Sequence, residues 1–155
     1  ADLEHNSGYS GGEHEVKTAG LAEALLNTGR ALSGNQELGP LLECILENLQ
    51  HVVPCDASSI MTINPATGQV RILCCHGPNL QSQEAPLAAH RYPIGGMPGL
   101  QAMLATKHPR IIRDTHADPD WQVLPETEWI HSSLGMPIEV GEQVVGFLNL
   151  DSARL

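Results

Sequence analysis

The strongest constraint on the fold lies near the C-terminus, where SLGMPIEV and QVVGFLNLD follow one another with only Gly141 and Glu142 between them. Both runs alternate in polarity, the period of a strand with one buried face. So short a connection forces the two strands to be antiparallel neighbours. Glycine in the first position suits a type II′ turn, whose first central residue has positive φ. A second hairpin stands earlier, in the β-branched run from Ala57 to Ile63, the turn residues NPATG and the extended run from Gln69 to Cys75. An isolated ribbon is marginal in water. The expectation is therefore that the C-terminal ribbon returns beside the early hairpin and closes one central sheet.

Helical periodicity precedes these strands. Val16, Ala19, Ala22, Leu25, Leu26, Gly29 and Leu32 recur at spacings of three and four, which predicts an amphipathic helix ending near Gly34. Pro40 suits a first helical turn, and Leu41, Leu42, Ile45, Leu46, Leu49, Val52 and Val53 form a wide apolar stripe that Pro54 stops. Between the hairpins, residues 77–90 read as an irregular connection, RYPI as a short strand and Pro98 to Thr106 as a short helix. Arg110 to Arg113 reads as a strand ending at Asp114, and THADPDWQVLPETEWIHSS mixes turn residues with single helical turns. Such an order gives the α+β class, an antiparallel sheet with helices segregated to its faces.

Residues 1–15 are acidic, Gly- and Ser-containing and almost without apolar side chains, which predicts a solvated tail and one domain over residues 16–155. A chain of 155 residues with 41% apolar content can bury a core, so general disorder is excluded. No apolar run is long enough to span a bilayer, and no secretory leader pattern opens the sequence, so a soluble domain is expected. A formal charge of −10 repels phosphate backbones and anionic lipid heads, which argues against nucleic acid and membrane as partners. The four cysteines have neither disulfide-scaffold nor zinc-knuckle spacing, which predicts reduced thiols in a cytoplasmic compartment. A start at Ala1 and an end directly after a strand suggest a piece of something longer.

The stretch SLGMPIEVGEQVVGFLNLDS resembles the signature end of a GAF domain, through Met136-Pro137, Gly141, Val145-Gly146 and Leu148 to Leu150. Upstream, PRIIRDTHADPDW resembles the family strand that delivers an Asp, here Asp114, and WIHSSLG resembles its approach to the fifth strand. The likeness covers about residues 20–152, and the early hairpin sits where the family's first two strands lie. It implies a PAS-like antiparallel sheet of five or six strands, with a helical bundle on one face and a ligand pocket with short helices and loops on the other. It also implies a sensory module of a larger cytoplasmic signalling protein, such as a sensor histidine kinase of a two-component system. Its partners would be a small-molecule ligand, a second copy bound through the N-terminal helices, and an output domain in the same polypeptide. The family's usual C-terminal helix is absent from the sequence.

Several clusters suggest chemistry. Cys74, Cys75 and His76 are residue types that bind soft metals, attach tetrapyrroles or carry redox steps, but strand alternation sends the two thiols to opposite faces. The alternative is a small apolar filler with a histidine at the strand end. Residues 114–133 contain no Cys and no Asp-x-Cys-Phe occurs, which argues against the covalent bilin attachment of some relatives. The free methionine sulfoxide reductases of this fold place cysteines in the loop before the third helix and before the fifth strand. Here Met97 occupies the GGMPG loop and the second location has no thiol. The Asn-Lys-Phe-Asp-Glu set of cyclic-nucleotide binders cannot be laid out, because Phe147 is the only Phe. His108, His116 and His131 with Asp114, Asp118 and Asp120 invite a metal, and His131 or His76 a haem, though none has zinc-protease spacing.

The backbone amides around Met97 and Gly99, just before a short helix, could meet an anionic group. Trp121 and Trp129 either stack on a flat ligand and donate a hydrogen bond, or plug the cavity themselves. The expected ligand pocket is thus built from Met97, Gly99, Asp114, Trp121, Trp129, His131 and Cys75. No catalytic or metal-ligating residue is expected, and the sequence specifies no cofactor.

Overall fold

The computed structural model describes residues 38–78 and 91–155. Helix α1 (Leu38–Val52) leads into β1 (Ala57–Asn64) and β2 (Gln69–His76). Then come β3 (Tyr92–Pro93), a 3-10 turn at Ile94–Gly96, α2 (Pro98–Thr106) and β4 (Arg110–Ile112). The chain closes with β5 (Ser132–Val140) and β6 (Gln143–Ser152). The expected helix over residues 16–34, the acidic tail and most of the irregular connection lie outside the described residues.

All six strands form one antiparallel sheet in the order β3-β2-β1-β6-β5-β4. β6 pairs with both β1 and β5, so the C-terminal ribbon returns beside the first hairpin and occupies the centre of the sheet. Gly141 has φ of 59° while Lys107 is the only described non-glycine residue at positive φ, which is the pattern of a type II′ turn. Both edge strands, β3 and β4, are short and pair with only part of β2 and β5. Register shifts at Ile60/Met61 and Ile138/Glu139 add local twist.

Alternation gives the sheet two apolar faces. On one, Leu42 and Leu46 of α1 pack against Ile60, Cys74, Ile138 and Val145. α1 ends two residues before Pro54, as expected where a proline disfavours helical geometry in the residue before it. On the other face, Leu100 and Met103 of α2 pack against Ile63, Val70, Val144 and Phe147. α2 opens with Pro98 in its first turn and ends where Lys107 turns left-handed, with φ of 57°.

Two glycines set how closely these parts approach. A Cβ on Gly146 would lie 2.3 Å from the Met61 carbonyl oxygen, so only glycine fits where β6 crosses β1. A Cβ on Gly135 would lie 2.7 Å from Met103 Cε, so the bare backbone of β5 lets Met103 lie flat on the sheet. That contact fixes the height of α2 and leaves a hollow beside it.

Candidate functional site

The hollow lies between the sheet and the segments that carry α2 and residues 110–130, and its volume is about 310 Å³. That lies at the small end of ligand-sized cavities, roughly 300–1,000 Å³. Its floor follows from strand alternation: Ser59 and Met61 of β1, Ser133 and Gly135 of β5, and Asn149 and Asp151 of β6 point the same way. Leu100 and Met103 of α2 and Ile130 supply apolar walls.

The wall that carries Trp121 is a loop tied at its neck. Buried Thr115 donates its backbone N–H to the His131 carbonyl at 2.9 Å and its hydroxyl to the Ile130 carbonyl. Within the loop, Arg110 of β4 donates from Nη2 to both carboxylate oxygens of Asp118, at 2.9 and 3.1 Å, and to Asp120 at 3.1 Å. Asp118 in turn accepts the Trp121 backbone N–H at 3.2 Å through its carbonyl. The indole is therefore held against the cavity by a clamp anchored on the sheet.

Two polar groups in this mostly apolar hollow are incompletely satisfied. The indole Nε1–H of Trp121 is buried without an acceptor, the only such side-chain atom among the described residues. Asp151 is 9% exposed and accepts the Ser133 hydroxyl on Oδ1 at 2.7 Å. No Lys, Arg or His among the described residues forms an ion pair with it. Burial pushes its carboxyl up to about 6, against the opposing Ser133 hydrogen bond. A buried donor without an acceptor and a buried carboxylate without a cation are both costly, and such groups concentrate at binding sites.

Of the residues expected at the site, Met97, Gly99 and Trp121 line the cavity, whereas Asp114, Trp129, His131 and Cys75 do not. Asp114 turns its carboxylate onto the His116 and Ala117 backbone N–H groups, at 3.0 and 3.3 Å, and closes a turn. Trp129 donates its indole N–H to the Glu126 carbonyl at 3.0 Å. His131 stacks on His116 with ring centroids 4.7 Å apart. Cys75 lies opposite Ser59 on β2, outside the lining, while Cys74 packs under α1 on the other face. The Met97 amide already donates to the Ile94 carbonyl at 3.0 Å, so it is not free to meet an anion. Among the described residues, no group of three or more His, Cys, Asp or Glu side chains is placed to hold a metal ion.

Asp151, Ser133, Asn149 and Arg110 are cavity residues that sequence reasoning missed. The alternation of Asn149 and Asp151 in FLNLD was the available signal, but a polar residue at a strand end is ordinary.

A six-stranded antiparallel sheet, with a helix on one face and a ligand-sized hollow under a short helix on the other, defines a GAF-like α+β architecture. The chain belongs to the GAF domain family, whose model matches residues 37–154. This is a family of regulatory and sensory domains found in signal transduction. Among curated proteins, none matches the sequence.

Several solved structures share the fold. A GAF domain/HD domain protein from Geobacter sulfurreducens superposes with a TM-score of 0.66 at 14% identity, covering 79% of each chain. The GAF domain of a phosphoenolpyruvate-protein phosphotransferase from Coxiella burnetii gives 0.64 at 17% identity, over 90% of this chain and 79% of the other. Free methionine-R-sulfoxide reductase from Neisseria meningitidis, in complex with its substrate, gives 0.60 at 18% identity, over 99% and 81%. At such identities the likeness concerns the fold.

Proposed function

We propose that this chain is a non-catalytic, small-molecule-sensing GAF domain, with residues 16–155 as one unit of a larger cytoplasmic signalling protein such as a sensor histidine kinase. The observation that carries this is the coexistence, among the residues that line one mostly apolar hollow, of a buried carboxylate without a cation and a buried indole N–H without an acceptor among the described residues. The sulfoxide reductase chemistry of the Neisseria relative is disfavoured here, because none of the four cysteines lines the cavity.

Occupancy is coupled to helix packing and to the output domain through the end of β6. Directly after Asp151, Ser152 donates its hydroxyl to Asp56 at 3.0 Å and Ala153 its backbone N–H at 2.8 Å. Asp56 stands at the junction of α1 and β1, so a shift at Asp151 reaches both the exit of the sheet and the base of the helix. In this reading the helix expected over residues 16–34 and α1 form the homodimer interface, and Leu41 and Val52 are apolar and exposed on α1. A ligand changes that packing only by binding one arrangement more tightly than another.

Thermal melting of the protein with metabolites, nucleotides and tetrapyrroles tests the proposal, alongside sedimentation. A melting temperature that rises with ligand concentration is expected. No shift from any compound, with a robust dimer, would instead make the chain a structural dimerisation module.

A further inference from the structure

The ligand-sensing reading leaves open which kind of molecule the cavity takes, and the polar groups around it are unequal in a way that answers this. We propose that the ligand is a small organic cation, an alkyl- or arylalkylammonium whose charged end pairs with Asp151 while its apolar body fills the hollow. The inference rests on the sensing proposal and makes it more specific.

The floor decides the sign of the charge. Asp151 Oδ1 accepts from Ser133, and no donor among the described residues reaches Oδ2. A largely buried carboxylate with no cation beside it among the described residues lacks the partner that buried charges ordinarily have. An ammonium group supplies both the opposite charge and N–H donors for the vacant oxygen.

The rim argues the same way. Among the described residues, Arg110 is the only Lys or Arg side chain that lines the cavity, and its Nη2 is already committed to Asp118 and Asp120. One positive charge against two negative ones leaves that cluster net negative. A carboxylate or phosphate ligand would face Asp120 at the rim and Asp151 at the floor, and the described lining offers it no cation beyond the one already paired. The protein's formal charge of −10 favours the approach of cations as well.

Size and the tryptophan wall complete the description. A cavity of roughly 150 Å³ holds a benzene-sized guest, so about 310 Å³ leaves room for a ring with a short charged arm. Trp121 presents a large apolar ring among the lining residues, and its buried Nε1–H belongs to the wall rather than to the ligand's contacts.

Isothermal titration calorimetry of the full chain at pH 8 tests this with three probes of matched shape: benzylamine, benzyl alcohol and benzoate. Benzylamine is expected to bind most tightly. Asp151→Asn keeps an acceptor for Ser133 and is expected to weaken benzylamine roughly 10- to 100-fold, the range of a charge-assisted hydrogen bond, while benzyl alcohol changes less than about threefold. Ser133→Ala, which retains the carboxylate, is expected to keep the preference for the amine; circular dichroism verifies that both variants fold.

Benzoate or benzyl alcohol matching benzylamine on the wild type overturns the inference and leaves the sensing proposal standing. Undiminished benzylamine binding in a folded Asp151→Asn, or loss of the amine preference in a folded Ser133→Ala, does the same. Silence of all three probes at millimolar concentration also overturns it; the sensing proposal falls with it only if the broader melting screen is silent too.

Discussion

Replacing Asp151 by Asn should stabilise the unliganded protein, by an amount that depends on pH in a defined direction. The carboxyl titrates near 6 in the folded protein and near 3.8 when unfolded. Between those values the folded state binds the extra proton, so stability falls as pH rises through this window and the penalty is complete above it. At 1.36 kcal/mol per pH unit the gap amounts to about 3 kcal/mol. The substituted amide would carry no charge at any pH and would still accept the Ser133 hydroxyl. Urea denaturation at pH 8 should therefore show the variant more stable than wild type by up to about 3 kcal/mol, with the two converging near pH 4.

Groups common to both proteins cancel in the difference between them. The Cys55 thiol, raised by burial and by Asp151 and Asp56, stays neutral throughout. A difference that does not vary between pH 4 and 8, or one in which the variant is less stable at pH 8, would refute the claim that Asp151 is a buried charge without compensation. Natural sequences retain such penalties where function uses them, and an ammonium ligand is the proposed compensation.

Other perturbations probe how the site is framed. Gly146→Ala drives a Cβ into the Met61 carbonyl and should destabilise by about 3 kcal/mol or more, whereas Gly135→Ala meets only the flexible end of Met103 and should cost about 1 kcal/mol while narrowing the cavity; paired denaturant titrations check the ranking. Leu46, fully buried on the sheet-facing side of α1, should lose about 3 kcal/mol on truncation to Ala in the same assay. The Ala153 N–H holds the Asp56 carboxyl below its ordinary range, with further help from Ser152 and Arg154 against the effect of burial. Its contribution is present above pH 3.8 and is lost as pH falls through the lower folded value. Asp56→Ala should therefore destabilise by about 1 kcal/mol at neutral pH, a figure kept small by solvent screening, and by progressively less in acid.

Local patterns in the chain carry most of the secondary structure. The bounds expected for the short helix, Pro98 to Thr106, coincide with those of α2, because proline opens it and Lys107 leaves the helical region after it. The two hairpins stand where period-two alternation put them. Of the short strand expected at RYPI, only Tyr92–Pro93 pairs, since Ile94 begins a 3-10 turn. The strand expected over Arg110 to Arg113 ends at Ile112.

The site was legible only in part. Met97, Gly99 and Trp121, which a glycine-rich turn and a tryptophan make conspicuous in one dimension, line the hollow. Asp114, Trp129 and His131 look equally suggestive in the sequence, yet their polar atoms or rings are occupied by neighbours in the same loop: Ala117, Glu126 and His116. Asp151 and Ser133 are separated by 18 residues along the chain and meet only because β5 and β6 are adjacent. Within the described residues, the sequence alone determined most of the strands, both helices and their class, since periodicity and turn chemistry act over a few residues. Which polar groups face a common hollow, and which are left without a partner, was decided by tertiary structure, because desolvation and pairing depend on what packs around a residue rather than on what precedes it.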